Sequence, residues 1–456
     1  MYHDPIVDWD TFEDPLGNIN FSPWDFDSLS LNPSGPTYYP LYQTPVTYMP
    51  TELVDESVRK YVLRIAEIQY LLGDKAFLPE LIWQSCQQNT VSQRALKLLT
   101  SIYYRRQQHP RERVLGDSEM HAELRSLLDE LGKGRFDNPD DAIAALHGVS
   151  MFLFDGGHGA WLSFLKLATE YVKKVLHSQT YSNPKDALLW ANVKDAFIVK
   201  TAIWFDVLAS ITTCRVPHFL EEIRAMFDPS ASGIHDVAFD RSPQCSMMSP
   251  MGCENRVVWA IAEVSALAVW KDTERLKRRL NIGELVRRAA HIDGFLDHRP
   301  FESMLDASAS QDDRDLEHTR YLASEIFRCT ARLFLATVKN DDNPQVQEIQ
   351  DAVDNIIVAF RNLFISGLDV FNVSRSVVRS TVFGIYLCGA MTMNKAYRNE
   401  LLLLLDRESN GRNGEGVGNC ASIRKMLEEL WKLVGANPSR SVPWRQILSR
   451  EEILLV

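Results

Sequence analysis

Apolar residues fill twelve of the seventeen positions from 195 to 211 (DAFIVKTAIWFDVLASI), and inside the segment only Lys200 and Asp206 carry charge. A helix with no polar face to turn toward water is predicted to be buried nearly all round, so it needs other helices on every side. The rest of the chain supplies them. From residue 53 onward the period is helical, with Val58, Tyr61, Val62, Ile65 and Ile68 forming one apolar stripe. Further helices are predicted over 92–104, 122–131, 139–154, 161–176, 184–214, 255–270, 282–296, 321–338, 346–363 and 374–392. Asn138-Pro139-Asp140-Asp141 offers a capping side chain, a first-turn proline and two acids at the positive end of the helix dipole; Asn343-Pro344 repeats the cap and the proline. Strand-like alternation is almost absent, and no period of roughly 20–50 residues repeats. Loops are expected at 228–252, 306–315 and 408–419, none with the composition of a linker, so residues 53–456 are expected to form one all-α domain.

Residues 1–52 break the pattern. The first 50 hold eight prolines, ten aromatics and seven acids without a single Lys or Arg. In VDWDTFED and FSPWDFDSL the aromatics sit beside the acids, and repulsion between carboxylates keeps them from collapsing into a core. We therefore expect a disordered acidic-aromatic segment that acts as an activation region. Its candidate partner-binding residues are Trp9, Phe12, Phe21, Trp24 and Phe26. The formal charge of -11 is concentrated there, because the remainder sets 49 bases against 53 acids. So weakly acidic a body argues against a domain that grips phosphate backbones itself. Seven scattered cysteines without a C-x-x-C pair suit a reducing compartment. MYHDPIVDWD lacks the basic and apolar regions of a secretory signal, and the apolar run 380–394 is shorter than the roughly 20 residues a spanning helix needs. A cytosolic or nuclear protein without a membrane partner is expected.

Five segments in fixed order resemble the fungal-specific transcription factor domain, the helical regulatory region that follows a binuclear zinc-cluster DNA-binding domain in many fungal regulators. They are DAIAALHGVSMFLFDGGHGAWLSFLKLA; FIVKTAIWFDVLASITTCRVPHF; MGCENRVVWAIAEVSALAVWK with NIGELVRRAAHIDGFL; STVFGIYLCGAMT; and IRKMLEELWKLVGANPSRSVPWRQIL. The family-like structural positions are Trp161, Asp206, Pro217, Cys253, Gly389, Trp431 and Trp444. Gly384 stands where the family often has proline. The resemblance implies a large multi-helix regulatory domain, a nuclear location and regulation of genes read by RNA polymerase II. Implied partners are the transcription machinery or other regulators, a small-molecule effector, and a second copy in a homodimer. Nothing in the chain resembles the six closely spaced cysteines of the zinc cluster, so zinc and DNA contact would come only with a module not present here.

The residues offer sharper readings that fail on inspection. FDGGHG, 154–159, follows a helix rather than a strand and lacks the Lys and hydroxyl of a phosphate loop, so its glycines are expected to supply positive φ at a helix exit. His147 and His158 near Asp155 lack a nucleophile and are expected at the surface or at a cap. CSMMSPMGC, 245–253, gathers soft ligands for Cu(I), yet Met and Cys also serve as adaptable core filler. Asp312, Asp313, Asp315 and Glu317 invite comparison with all-α terpene synthases but lack the paired metal-binding spacing. Asp206 is expected to be a buried acceptor paired with Arg215 or Arg224. No catalytic, cofactor or metal residue is assigned. The alternative to a regulator is a stand-alone helical interaction or scaffold protein with the same fold, and a remote one is an all-α terpene-synthase-like enzyme.

Overall fold

From Ala196 to Thr212 every residue of the helix Val193–Thr213 is buried. By length and composition this helix could cross a membrane, but 94 % of its apolar window lies inside the protein. The two ionisable groups of its buried span, Lys200 and Asp206, are met by main-chain atoms. Lys200 Nζ donates to the carbonyls of Pro243 and Ser246 at 2.8 and 3.1 Å, and burial pushes its ammonium down to about 8. Asp206 accepts from the backbone N–H of Phe219 at 3.0 Å. The expected pairing of Asp206 with Arg215 or Arg224 is therefore corrected: the Arg224 guanidinium spans Glu263 and Glu221 instead. The turn after the helix folds amide donors back onto the carboxylate, which supplies the hydrogen bonds a guanidinium would otherwise give.

In the computed structural model the described residues are 55–456, except 75–76, 111, 135–136, 232–238, 240–241, 302, 304, 306–307, 366–369, 410–416 and 436–440. The chain divides into the units Met1–Gln43 and Thr44–Val456, and all described residues belong to the second. Trp9, Phe12, Phe21, Trp24 and Phe26 lie outside them. Helix α1 (Glu56–Lys60) runs through a π-helical stretch (Tyr61–Ile65) into α2 (Ala66–Gln69). Then follow α3 (Phe77–Gln88), α4 (Thr90–Gln108), α5 (Ser118–Gly132), α6 (Pro139–Phe154), α7 (Trp161–Leu176), α8 (Pro184–Leu189), α9 (Val193–Thr213) and α10 (Leu220–Phe227). The second half holds α11 (Met248–Met251), α12 (Asn255–Leu276), α13 (Ile282–Asp293), α14 (Gln311–Lys339), α15 (Gln347–Ile365), α16 (Val370–Ser380), α17 (Val382–Met391), α18 (Lys395–Ser409), α19 (Cys420–Gly435) and α20 (Trp444–Glu451). Among the described residues there is no strand, only an isolated antiparallel bridge between His158 and Ile453.

The packing is layered about α9, which touches α6, α7, α11, α12 and α20, while α14 holds the second half by packing on α12, α15 and α17. Close approach of α6 and α7 requires Gly148, because a Cβ there would stand 2.2 Å from the Phe164 ring. Two predicted helices are each two. The stretch 184–214 breaks between α8 and α9, where the Asn192 side chain caps α9 by accepting from Asp195 N at 2.9 Å. The stretch 374–392 breaks at Thr381, whose hydroxyl bonds back to Val377 O at 2.7 Å. Helix α14 also starts inside the predicted 306–315 loop, because Ser310 caps it by accepting from Asp313 N.

Candidate functional site

A buried polar line crosses the first half of the core. The widened π-helical turn sets Tyr61 inward, with its hydroxyl 3.3 Å from His147 Nε2, and Tyr61 donates to Gln69 Oε1. Gln69 Nε2 donates to the Tyr70 hydroxyl at 3.1 Å and to Ser150 Oγ at 2.7 Å, and Ser150 donates on to Leu146 O. His147 is fully buried, so the expected surface or capping place is corrected for it; desolvation pushes its imidazole down to about 3. The ring stays neutral near pH 7.

Beside this line lies a chamber of about 80 Å³. Its walls come from the end of α2 and the turn after it, from α6, α9, α11 and α16, from Gly418 and Asn419 ahead of α19, and from Val456. Most lining is apolar, including Ile68, Leu72, Phe154, Trp204 and Met251, with Gln69, Tyr70, Ser150, Arg379 and Asn419 as polar points. Arg379 on α16 is 7 % exposed. Its Nη2 donates to Val417 O at 2.7 Å, while its Nη1 is buried without a hydrogen-bond partner. Asn419 spends both amide protons on the carbonyls of Leu454 and Val456.

A wider groove of about 600 Å³ runs between the end of α12 and the start of α20. Its charges are consumed internally: Lys271 and Arg275 pair with Asp341, and Arg445 reaches Asp272 and Asp342. Arg445 also keeps a buried Nε without a hydrogen-bond partner, but carboxylates answer its charge, whereas Arg379 in the smaller chamber has no ion-pair partner among the described residues.

The family-like positions serve the frame. Trp161 donates to Glu452 O at 2.8 Å, Trp444 to Asp342 Oδ1 at 2.9 Å, and Trp431 to Gly389 O at 2.8 Å. Gly389 is needed where α17 meets Leu427, 2.8 Å from a Cβ placed there. Pro217 and Cys253 are buried, and desolvation pushes the Cys253 thiol well up. Gly156, Gly157 and Gly159 have φ of 99°, 84° and 121°, as a helix exit requires. Asp155 accepts from the amides of Val114 and Leu115, and His158 meets Glu451 O at 2.8 Å. Among the described residues no three His, Cys, Asp or Glu side chains are grouped to hold a metal. Asp313 folds onto its own helix cap, and Glu317 accepts from Ser303. Sequence reasoning missed Tyr61, Gln69, Tyr70 and Arg379; an arginine in the helical stretch 374–392 was the one signal it could have used.

The model of the fungal specific transcription factor domain matches residues 73–456. The chain belongs to that family. Among curated relatives, the chain is 28 % identical over 194 residues to the trichothecene biosynthesis transcription regulator TRI10 of Trichoderma arundinaceum, covering 42 % of this chain and 40 % of the relative. It is 26 % identical over 187 residues to the ustiloxin B cluster transcription factor ustR of Aspergillus flavus (40 % and 30 %), and 26 % identical over 175 residues to the transcription factor ntnD of Nectria sp (36 % and 27 %). The match thus spans at most 40 % of the length of these relatives. No solved structure matches the chain.

Proposed function

We propose that this chain regulates transcription of a set of biosynthetic genes by RNA polymerase II, in the nucleus, as the signal-receiving part of a regulator. The family match over 73–456 carries this reading, and the named roles of the relatives supply its biosynthetic sense. Residues 53–456 act as the regulatory body. The acidic segment contacts the transcription machinery through Trp9, Phe12, Phe21, Trp24 and Phe26. DNA contact comes from a partner or a further module, since six close-set cysteines do not occur in these 456 residues. A ligand or protein changes the output by binding one conformation of the body better than another; equal affinity for both would shift nothing.

Deleting the gene in the organism that carries it, and measuring transcripts under conditions in which biosynthetic genes are expressed, tests the proposal. A coordinated change of at least several-fold in one biosynthetic gene set is expected. An unchanged transcript profile would refute it.

A further inference from the structure

We propose that the 80 Å³ chamber is a binding site for a short-chain monocarboxylate, held by Arg379 and Tyr70. Two donors line it without an acceptor to receive them. One is Arg379 Nη1, buried and unpartnered in a side chain whose other edge is fixed on Val417 O. The other is the Tyr70 hydroxyl, which accepts from Gln69 and so keeps its own proton to give. Burial pushes that phenol far up, which keeps the proton in place.

Arg379 lines the chamber, and a buried guanidinium nitrogen without a partner costs free energy that an anion there would recover. No carboxylate of the described residues forms an ion pair with Arg379. Glu408 feels its charge at longer range, and desolvation pushes the Glu408 carboxyl up, weakening it as a counter-charge. Arg379 and Tyr70 line the same chamber, and an anion with two oxygens offers an acceptor to each of them, guanidinium and carboxylate matching in geometry. The remaining lining rejects phosphate, which would turn further charged oxygens toward Trp204, Phe154 and Met251. Those walls accept a short apolar tail instead. Size sets the upper limit: the chamber has roughly half the volume of the ~150 Å³ apolar cavity that admits benzene. A few heavy atoms fit, and a multi-ring metabolite does not enter without parting the helices.

The biological meaning of the site rests on the body being the signal-receiving part of a regulator. Its occupancy does not, because binding is read on purified full-length chain while the regulatory reading is tested on transcripts. Titrating the chain with propionate by calorimetry, with propionamide and inorganic phosphate as comparators, is the test. One saturable site per chain is expected for propionate, about tenfold weaker or worse for propionamide. Arg379→Gln should weaken propionate binding by a similar factor. Should that variant fail to fold, Tyr70→Phe, which keeps the ring and its packing, should weaken it several-fold. Soaking crystals with 3-bromopropionate should place the bromine signal between α6, α9 and α16. Absent saturable binding, equal affinity for propionamide or phosphate, affinity unchanged in folded Arg379→Gln or in Tyr70→Phe, or bromine elsewhere on the chain would each overturn the proposal.

Discussion

Asp206 is a carboxylate that burial and backbone donors pull in opposite directions. Desolvation dominates and pushes it up to about 6, while the amides of Phe219 and His218 favour its charged form. A folded-state value above the unfolded one means that the folded chain binds the proton more tightly. The group's contribution to stability is thus fully present below about pH 4 and is lost as pH rises through about 6. A shift of about two units corresponds to roughly 3 kcal/mol. Asp206→Asn removes this titration, so relative to wild type it should gain about 2–3 kcal/mol between pH 4 and pH 7.5. Urea unfolding of both proteins at the two pH values checks it, and a constant difference would contradict the assignment. The orphaned Nη1 of Arg379 contrasts with Asp206 and Lys200, whose charges are met by backbone groups. Of the described arginines with a buried unpartnered nitrogen, Arg379 is the one without an ion pair.

Between elements, the junction of α6 and α7 is set by Gly148 against Phe164. Gly148→Ala puts a methyl into the ring and should cost about 1–3 kcal/mol, read as a lower urea midpoint with an unchanged m value. At this scale the sequence was most legible where a face or a cap declares itself. Helices α6 and α7 begin and end where the pattern places them, because Asn138-Pro139 signals one start and the glycines of FDGGHG separate the pair. The break between α8 and α9 was not legible. Apolar residues run on through Leu188, Leu189, Trp190 and Ala191, and the stop depends on Trp190 turning outward to 69 % exposure while Asn192 caps the next helix. Thr381 hides the second break, since its hydroxyl bond to the preceding turn leaves no mark in the hydrophobic period. Helices α3, α10, α11, α18, α19 and α20 were missed as well, and α14 was read ten residues short because its first three turns are mostly polar. Asp206 shows the limit on partners: proximity of arginines in sequence said nothing about a turn that folds amides onto the acid.

Across the whole molecule, the all-α class was readable from the near absence of alternation, and the family from five segments in order. The chamber was not. Its walls gather residues from 68 to 456, and only tertiary packing reveals that Tyr70 and Arg379 share a space. The same packing threads the last residues back through the core, with Leu454 bonded to Gly157, Thr212 to Ile453 and Trp161 to Glu452. Binding events at the chamber thereby touch helices from both halves of the chain, the arrangement a ligand needs if it is to bias one packing against another.

The central claim is that this chain, brought to a promoter, changes transcription there. Fusing residues 1–456 to an unrelated DNA-binding domain and measuring a reporter that carries its site tests this most directly. A change of several-fold is predicted, abolished when Trp9, Phe12, Phe21, Trp24 and Phe26 are replaced by Ala. A fusion that is expressed and occupies the promoter yet leaves reporter RNA at the level of the DNA-binding domain alone would contradict the account.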